Sequence, residues 1–268
     1  YYFFFFEINS DLIEPNQLLE KRESLKTGLT SSGVGFQNQW VRFQIGKGVE
    51  NWGAGNNIEL VLGEKSEPYD YFMLASDYGH IRVNYIHGLL ERTKNQINRY
   101  INARGIEWTN KKTLLVGLSE TIIYSGKNRA FEFGYLNPIT SHLEVELNNR
   151  LTSLTSSGAN AVWQIHFDYL FNNNQRISFN YLLDEFVIDP EIEKGKENGK
   201  AFSLKYVFSK KTKSNYLINI YLSNILIGTP TFRHGIGGNN FVNNNRPTGW
   251  RYGSDGNEFN IGLSISNN

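Results

Sequence analysis

The 268-residue chain has no cysteine. That absence excludes a disulfide scaffold, a cysteine-ligated zinc cluster and a cysteine nucleophile. Charge of one sign is lacking too: 27 Lys+Arg stand against 26 Asp+Glu, a net charge of +1. Nucleic acid needs a basic surplus on one face, so it is not an expected partner. No apolar run reaches the ~18 residues of a transmembrane helix. The opening "YYFFFF" is too short for one and lacks the basic start and cleavage site of a signal peptide. The expectation is that a leader has been removed or that the chain starts part-way through a longer protein. Helical periodicity is scarce: residues 11–26 and "LLERTKNQINRY" are the only segments expected to form short helices.

Period-two alternation is what the sequence has in abundance. In "AVWQIHFDYLF", Ala161, Trp163, Ile165, Phe167, Tyr169 and Phe171 alternate with Val162, Gln164, His166, Asp168 and Leu170. Successive side chains on a strand point to opposite faces, so this is a strand with one aromatic and one polar face. "VRFQIGKG", "HIRVNYIHG", "RISFNYLLDEF", "AFSLKYVF", "NYLINIYLS" and "FNIGLSI" repeat the pattern. The connections alternate in length. "TNKKT", "NNNQ" and "KKTKSN" are short; those after Ser125, Val187 and Asn224 are long. Strands of ~10 to 13 residues exceed the usual ~5 to 6 and suit a tilted membrane crossing. The expected fold is all-β: an antiparallel up-and-down transmembrane β-barrel with about a dozen visible strands, short periplasmic turns and long external loops. The aromatic faces then meet outer-membrane lipid and the polar faces a wet interior.

Several blocks together resemble the Wzi capsule-assembly family, outer-membrane β-barrel lectins of Gram-negative bacteria. They are "VRFQIGKGVENWGAGNNIELVLG", "YINARGIEW" followed by "LLVGLSETIIYSG", "FEFGYLNPITSHLEVELNN", "ISFNYLLDEFVID" and "PTGWRYGSDGNEFNIG". None is specific alone; their order and spacing, from about Val41 onward, carry the likeness. Full-length members are longer, with more strands and a periplasmic helical part, and this chain ends "SISNN" without a terminal aromatic. Residues 1–268 are therefore expected to form one barrel domain, incomplete at one or both ends, whose open sheet edge further strands or an outer-membrane protein partner would cover. The resemblance implies a bacterial outer-membrane location and a lectin that holds capsular or other surface polysaccharide, not an enzyme. The alternatives are a solute channel or transporter and, behind it, a membrane phospholipase.

Sugar faces stack on aromatic rings while hydroxyls pair with amides and carboxylates. Tyr135 and Asn137 at the Asn-Pro turn, with Trp250, Arg251 and Asp255 in the Gly/Asn-rich connection, are the expected carbohydrate contacts; the plainer readings are a loop corner for the first two and a long external loop for the others. Arg104, Glu120, Gln164, His166, Asp168 and Asn180 are expected as interior polar residues, with Arg104 or Arg92 as the ion-pair partner of Glu120. His166, Asp168 and Ser178 evoke a triad, but no nucleophile-elbow sequence accompanies them. Asp184 and Glu185 are adjacent and point opposite ways, so they cannot serve as facing carboxyls of a glycosidase. No metal or cofactor is expected; the spacing around Asp255 is not that of a calcium loop.

Overall fold

The computed structural model describes residues 1–8, 29–93, 95–137, 158–172, 174–184, 198–235 and 237–267. Its strands are β1 (Tyr2–Ile8), β2 (Leu29–Gln37), β3 (Val41–Gly48), β4 (Tyr69–Asp77), β5 (Ile81–Arg92), β6 (Ile97–Thr109) and β7 (Leu114–Lys127). They continue with β8 (Ala159–Phe171), β9 (Gln175–Asp184), β10 (Gly199–Lys211), β11 (Tyr216–Ile227), β12 (Val242–Asn243), β13 (Arg246–Pro247) and β14 (Gly256–Asn267). β1 to β11 and then β14 pair in chain order into one antiparallel 12-stranded sheet, and β12 and β13 form a separate small ribbon. Among the described residues, β1 pairs with β2 alone and β14 with β11 alone.

The alternation seen in the sequence sets the two faces. Trp163, Ile165, Phe167 and Tyr169 lie across from Glu120, Leu118, Val116 and Leu114 on one side and from Leu183, Tyr181, Phe179 and Ile177 on the other. Paired residues share a face. This outer face stays largely uncovered: Ile45 is 53% exposed, Ile106 48%, Leu118 53% and Ile165 49%. Trp40, Tyr78, Trp108 and Tyr216 are exposed together at the short-turn end, where an aromatic girdle sits in membrane barrels.

The inner face is filled. Two connections, residues 49–68 between β3 and β4 and residues 228–255 between β11 and β14, supply Trp52, Ile58, Leu60, Val61, Leu62, Phe232, Phe241 and Trp250 to a single buried cluster. Strand residues from Tyr69 on β4 to Ile227 on β11 join it. Those strands are seven positions apart, about 33 Å in a flat sheet. Only a sheet curled around its contents brings both ends to one core.

Asparagine and glycine make the short turns. Asn110 Oδ1 accepts the backbone N–H groups of Lys112, Thr113 and Leu114 at 3.0, 2.8 and 2.9 Å, while Lys111 takes φ +59°. The side-chain oxygen thus replaces a backbone partner at the tightest point.

One expected helix is not formed. "LLERTKNQINRY" is the end of β5 and the start of β6, closed by Thr93 N–H to Ile97 O (2.9 Å) and Gln96 at φ +60°. The helix-like spacing of Leu90, Ile97 and Tyr100 arises from a tight hairpin turn inserted between two alternating strands, and cross-strand pairing decides the outcome. Residues 11–26, the other expected helix, lie outside the described residues.

Candidate functional site

The inner polar residues hold the filling in place. Asn180 Oδ1 accepts Ala54 N–H at 2.7 Å, and its amide donates to Ala54 O (2.9 Å) and Ser203 Oγ (2.9 Å); Ser203 Oγ donates to Ile58 O at 2.6 Å. Gly53, at φ +117°, passes so close to the wall that a Cβ would lie 2.7 Å from the Gln164 amide nitrogen. Only glycine takes that backbone at that distance. His166 Nε2 meets Glu107 Oε1 at 3.0 Å. Asp168 accepts Arg176 Nε at 2.7 Å and Ser178 Oγ at 3.0 Å. His166 and Ser178 therefore answer to different carboxylates, and the three residues do not form a nucleophile–base–acid chain. Asp184 accepts the Phe232 N–H; Glu185 lies outside the described residues.

A second polar line runs along the inner face of β3 and β4 from the short-turn end toward the first connection. Arg42 Nη2 donates to Gln44 Oε1 (2.8 Å), Gln44 Nε2 to Tyr71 Oη (2.9 Å) and Tyr71 Oη to Glu50 Oε1 (2.7 Å). Burial pushes the Glu50 carboxyl above its ordinary value, against the lowering effects of Tyr71 and Arg42.

Arg104 and Glu120 require a correction. They pair, with Arg104 Nε 2.6 Å from Glu120 Oε2, but on the outer face and not the interior. Arg104 shares its side of β6 with exposed Ile106 and Trp108, and Glu120 shares its side of β7 with exposed Leu118. The chain after β7 folds back over them as a strap, residues 128–137. Outward side chains hold three strap carbonyls: Asn98 (2.7 Å) and Tyr100 (3.0 Å) donate to Arg129 O, Tyr85 (2.8 Å) and Asn102 (3.1 Å) to Tyr135 O, and Arg104 Nη1 (2.9 Å) to Asn137 O. Tyr135 is fully buried and stacked on Tyr124, ring centroids 4.6 Å apart, and Phe131 stacks on His87 at 3.9 Å. Tyr135 is thus no exposed plate for a sugar, and it and Asn137 sit across the wall from Trp250.

Trp250, Arg251 and Asp255 stay near one another. Asp255 accepts Thr229 Oγ1 at 2.8 Å and takes φ +64°, so it shapes the turn into β14. Trp250 Nε1 (2.7 Å), Arg251 Nη2 (3.1 Å) and Asn260 Nδ2 (2.7 Å) all donate to the Glu258 carboxylate. They border a cleft of about 280 Å³ on the inner face of β10, β11 and β14. Its far wall carries Lys205 over the Tyr221 ring (4.9 Å), together with Asn57 and Glu59. The sequence reading missed Tyr221, Lys205, Glu258 and Glu59. For Lys205, Tyr221 and Glu258 the signal was present as polar or aromatic residues on the inward set of β10, β11 and β14, but that the connection carrying Glu59 meets them is not written in a strand pattern. Among the described residues, no group of three or more His, Asp or Glu side chains is placed to hold a metal ion.

No protein-family model matches the chain, and no curated protein matches it. Solved structures do. Wzi of Escherichia coli, described as an outer-membrane, carbohydrate-binding β-barrel involved in group 1 capsule assembly, superposes with a TM-score of 0.58 at 12% identity, over 88% of this chain and 60% of that one. The chain has the fold of an outer-membrane β-barrel. It spans about 60% of the length of Wzi. OmpT of Vibrio cholerae, an outer-membrane protein, matches more loosely: TM-score 0.42, 8% identity, 89% of this chain and 65% of that one. At these identities the likeness is one of fold alone. Within that fold, two connections of this chain pack against the inner wall and a strap lies on the outer one.

Proposed function

We propose that the chain is part of a bacterial outer-membrane barrel that binds surface polysaccharide without chemically altering it. The observation that carries the binding reading is the cleft between the two inner connections. There Tyr221 offers ring surface beside the buried Trp250, with Tyr252 at 5.1 Å from the Trp250 ring on the cleft's outer margin, and Asn57, Glu59, Lys205, Arg251 and Asn260 offer hydrogen-bonding groups. Ring faces with a surrounding rim of amides and charges fit a pyranose. Arg251 lies over the Tyr252 ring at 4.6 Å, and both side chains are open to a ligand. The Wzi likeness supports the same reading.

The membrane setting rests on the outer face. An uncovered apolar band from β3 to β14 far exceeds the patch a soluble monomer tolerates. The packed inner face speaks against an open solute channel, and the separate engagement of His166 and Ser178 speaks against a phospholipase.

The test is retention of surface polysaccharide by cells carrying Arg251→Ala with Tyr252→Ala, against Lys213→Ala in a short turn. Single sugar contacts net only about 1 kcal/mol, but repetition along a polymer multiplies them. Loss in the double variant with retention in Lys213→Ala is expected. Equal retention in both refutes the cleft as the site. A steady ion conductance through the reconstituted parent would favour the channel.

A further inference from the structure

At the short-turn end of the inner face lies a larger chamber of about 750 Å³, within the usual range of ligand pockets. Residues 53–56 of the first connection form its roof, and the ends of β4, β6 and β8 and the starts of β5, β7 and β9 form its walls. Four cations line it: Arg82, Lys111, Lys112 and Arg176. Three carboxylates line it too, but they are largely occupied. Asp77 accepts Gly79 N–H (2.7 Å) and Arg82 Nε (3.1 Å), Asp168 accepts Arg176 Nε and Ser178 Oγ with its two oxygens, and Glu107 takes His166 with one.

The cations are not used up in return. Each arginine engages its carboxylate through Nε alone, so both terminal nitrogens of Arg82 and of Arg176 remain available among the described residues. Neither the Lys111 nor the Lys112 ammonium has a hydrogen-bond or ion-pair partner there. Lys111 is set by the turn: its φ of +59° carries the side chain across to Gly79, where a Cβ would lie 2.9 Å from Nζ. The chamber thus presents two guanidinium forks and two ammonium groups as unmatched donors, against one free Glu107 oxygen as acceptor. Forks of this kind match the two oxygens of a carboxylate or phosphate.

We propose that this chamber binds an anionic sugar, one whose carboxylate or phosphate meets Arg82, Arg176 and the Lys111–Lys112 pair while a hydroxyl donates to Glu107. The site is separate from the Trp250 cleft and does not depend on it. The two lysines give a clean probe, because Lys111→Gln with Lys112→Gln removes no side-chain contact that holds the fold.

The experiment is calorimetric titration of the full chain in detergent micelles with trigalacturonate, with maltotriose as its neutral counterpart, and with inorganic phosphate. Trigalacturonate is expected to bind, maltotriose not. The lysine double variant is expected to weaken trigalacturonate by about tenfold or more, as is a rise from about 0.05 to 0.5 M salt. Arg176→Lys, which keeps the charge and loses the fork, should fall between parent and double variant. Displacement of trigalacturonate by millimolar phosphate would identify a sugar phosphate as the source of the anion; no displacement identifies a sugar acid. Equal binding of the neutral and acidic sugars, parent-like binding by the lysine variant, or no binding of either anion overturns the proposal. Arg251→Ala with Tyr252→Ala should leave this titration unchanged, so failure of the polysaccharide reading and failure of this one are told apart.

Discussion

Replacing Arg104 by methionine tests whether the outer-face ion pair is sealed from water. The Arg104 and Glu120 side chains are 9% and 8% exposed. Methionine keeps most of the stem's packing and removes the guanidinium. Glu120 then loses the guanidinium it shares a buried contact with, and breaking a buried pair costs about 3 to 5 kcal/mol. The Asn137 carbonyl loses a donor at the same time, a penalty of up to about 1 to 3 kcal/mol that overlaps with the first. The two are not additive, so about 4 kcal/mol is the expected loss for Arg104→Met at neutral pH. Combining it with Glu120→Leu removes the carboxylate as well and should recover part of that loss, because apolar replacements of buried pairs are often neutral or better. The assay is urea unfolding of protein refolded into lipid vesicles, followed by tryptophan fluorescence, with the two single variants and the double variant forming a cycle. A solvent-exposed pair would give at most about 1 kcal/mol. An Arg104→Met loss of that size, or a double variant no better than the single, would refute the covered outer-face assignment.

Ile165→Arg, in the open part of the outer band, should cost about 2 to 4 kcal/mol in the same vesicles if it sits near the bilayer midplane, and an unchanged unfolding midpoint would remove the residue from lipid. Asn180→Ala strips both Ala54 backbone groups of their partner, a loss of about 2 to 4 kcal/mol. Hydrogen exchange at Ala54 should then accelerate while β7 stays protected; unchanged exchange would mean the connection is held otherwise. For Glu50, a folded-state value raised above the unfolded one contributes stability below about pH 4.3, and that contribution is lost as pH rises through the raised value. Glu50→Gln should therefore gain on the parent in urea midpoint as pH goes from 4 to 7, and a flat difference would contradict the buried setting.

Period two made the wall legible. Trp163 to Tyr169 outward and Gln164 to Asp168 inward follow from the sequence because β side chains alternate without exception along an unbulged strand. The same rule, carried through, puts Glu120 with Leu118 on the outer side. The reading that placed it inside came from the expectation that a charge avoids a lipid face. That expectation failed because cover is supplied by residues 128–137, which have no period and whose docking depends on donors from two strands, β5 and β6. The filling was illegible for the same reason. "NWGAGNN" reads as a turn, and nothing local says that Gly53 will press against Gln164 or that Asn180 will hold Ala54. Likewise Trp250 was singled out for its type, while Glu258, which orients it, became visible only once the connection was seen to return to β14.

The strap begins where the greasy band of the wall ends. On β8 and β10 the outward apolar residues run without a break from Trp163 to Tyr169 and from Phe202 to Phe208. On β7 the open apolar run stops at Leu118, and the strap lies over the wall from Glu120 to Tyr124. Trp163 faces Glu120 across the ladder, and Phe202 shares a rung with Leu118 through Tyr181 and Ile165. The band therefore ends on β7, β8 and β10 within two residues, about 7 Å along a strand. Phe133, 80% exposed on the strap, returns only a little greasy surface to that flank. Beside β5 to β7 the protein thus supplies its own cover just past the last open apolar rung, and the thickness of lipid that flank calls for is set by the same rungs as on β8 and β10.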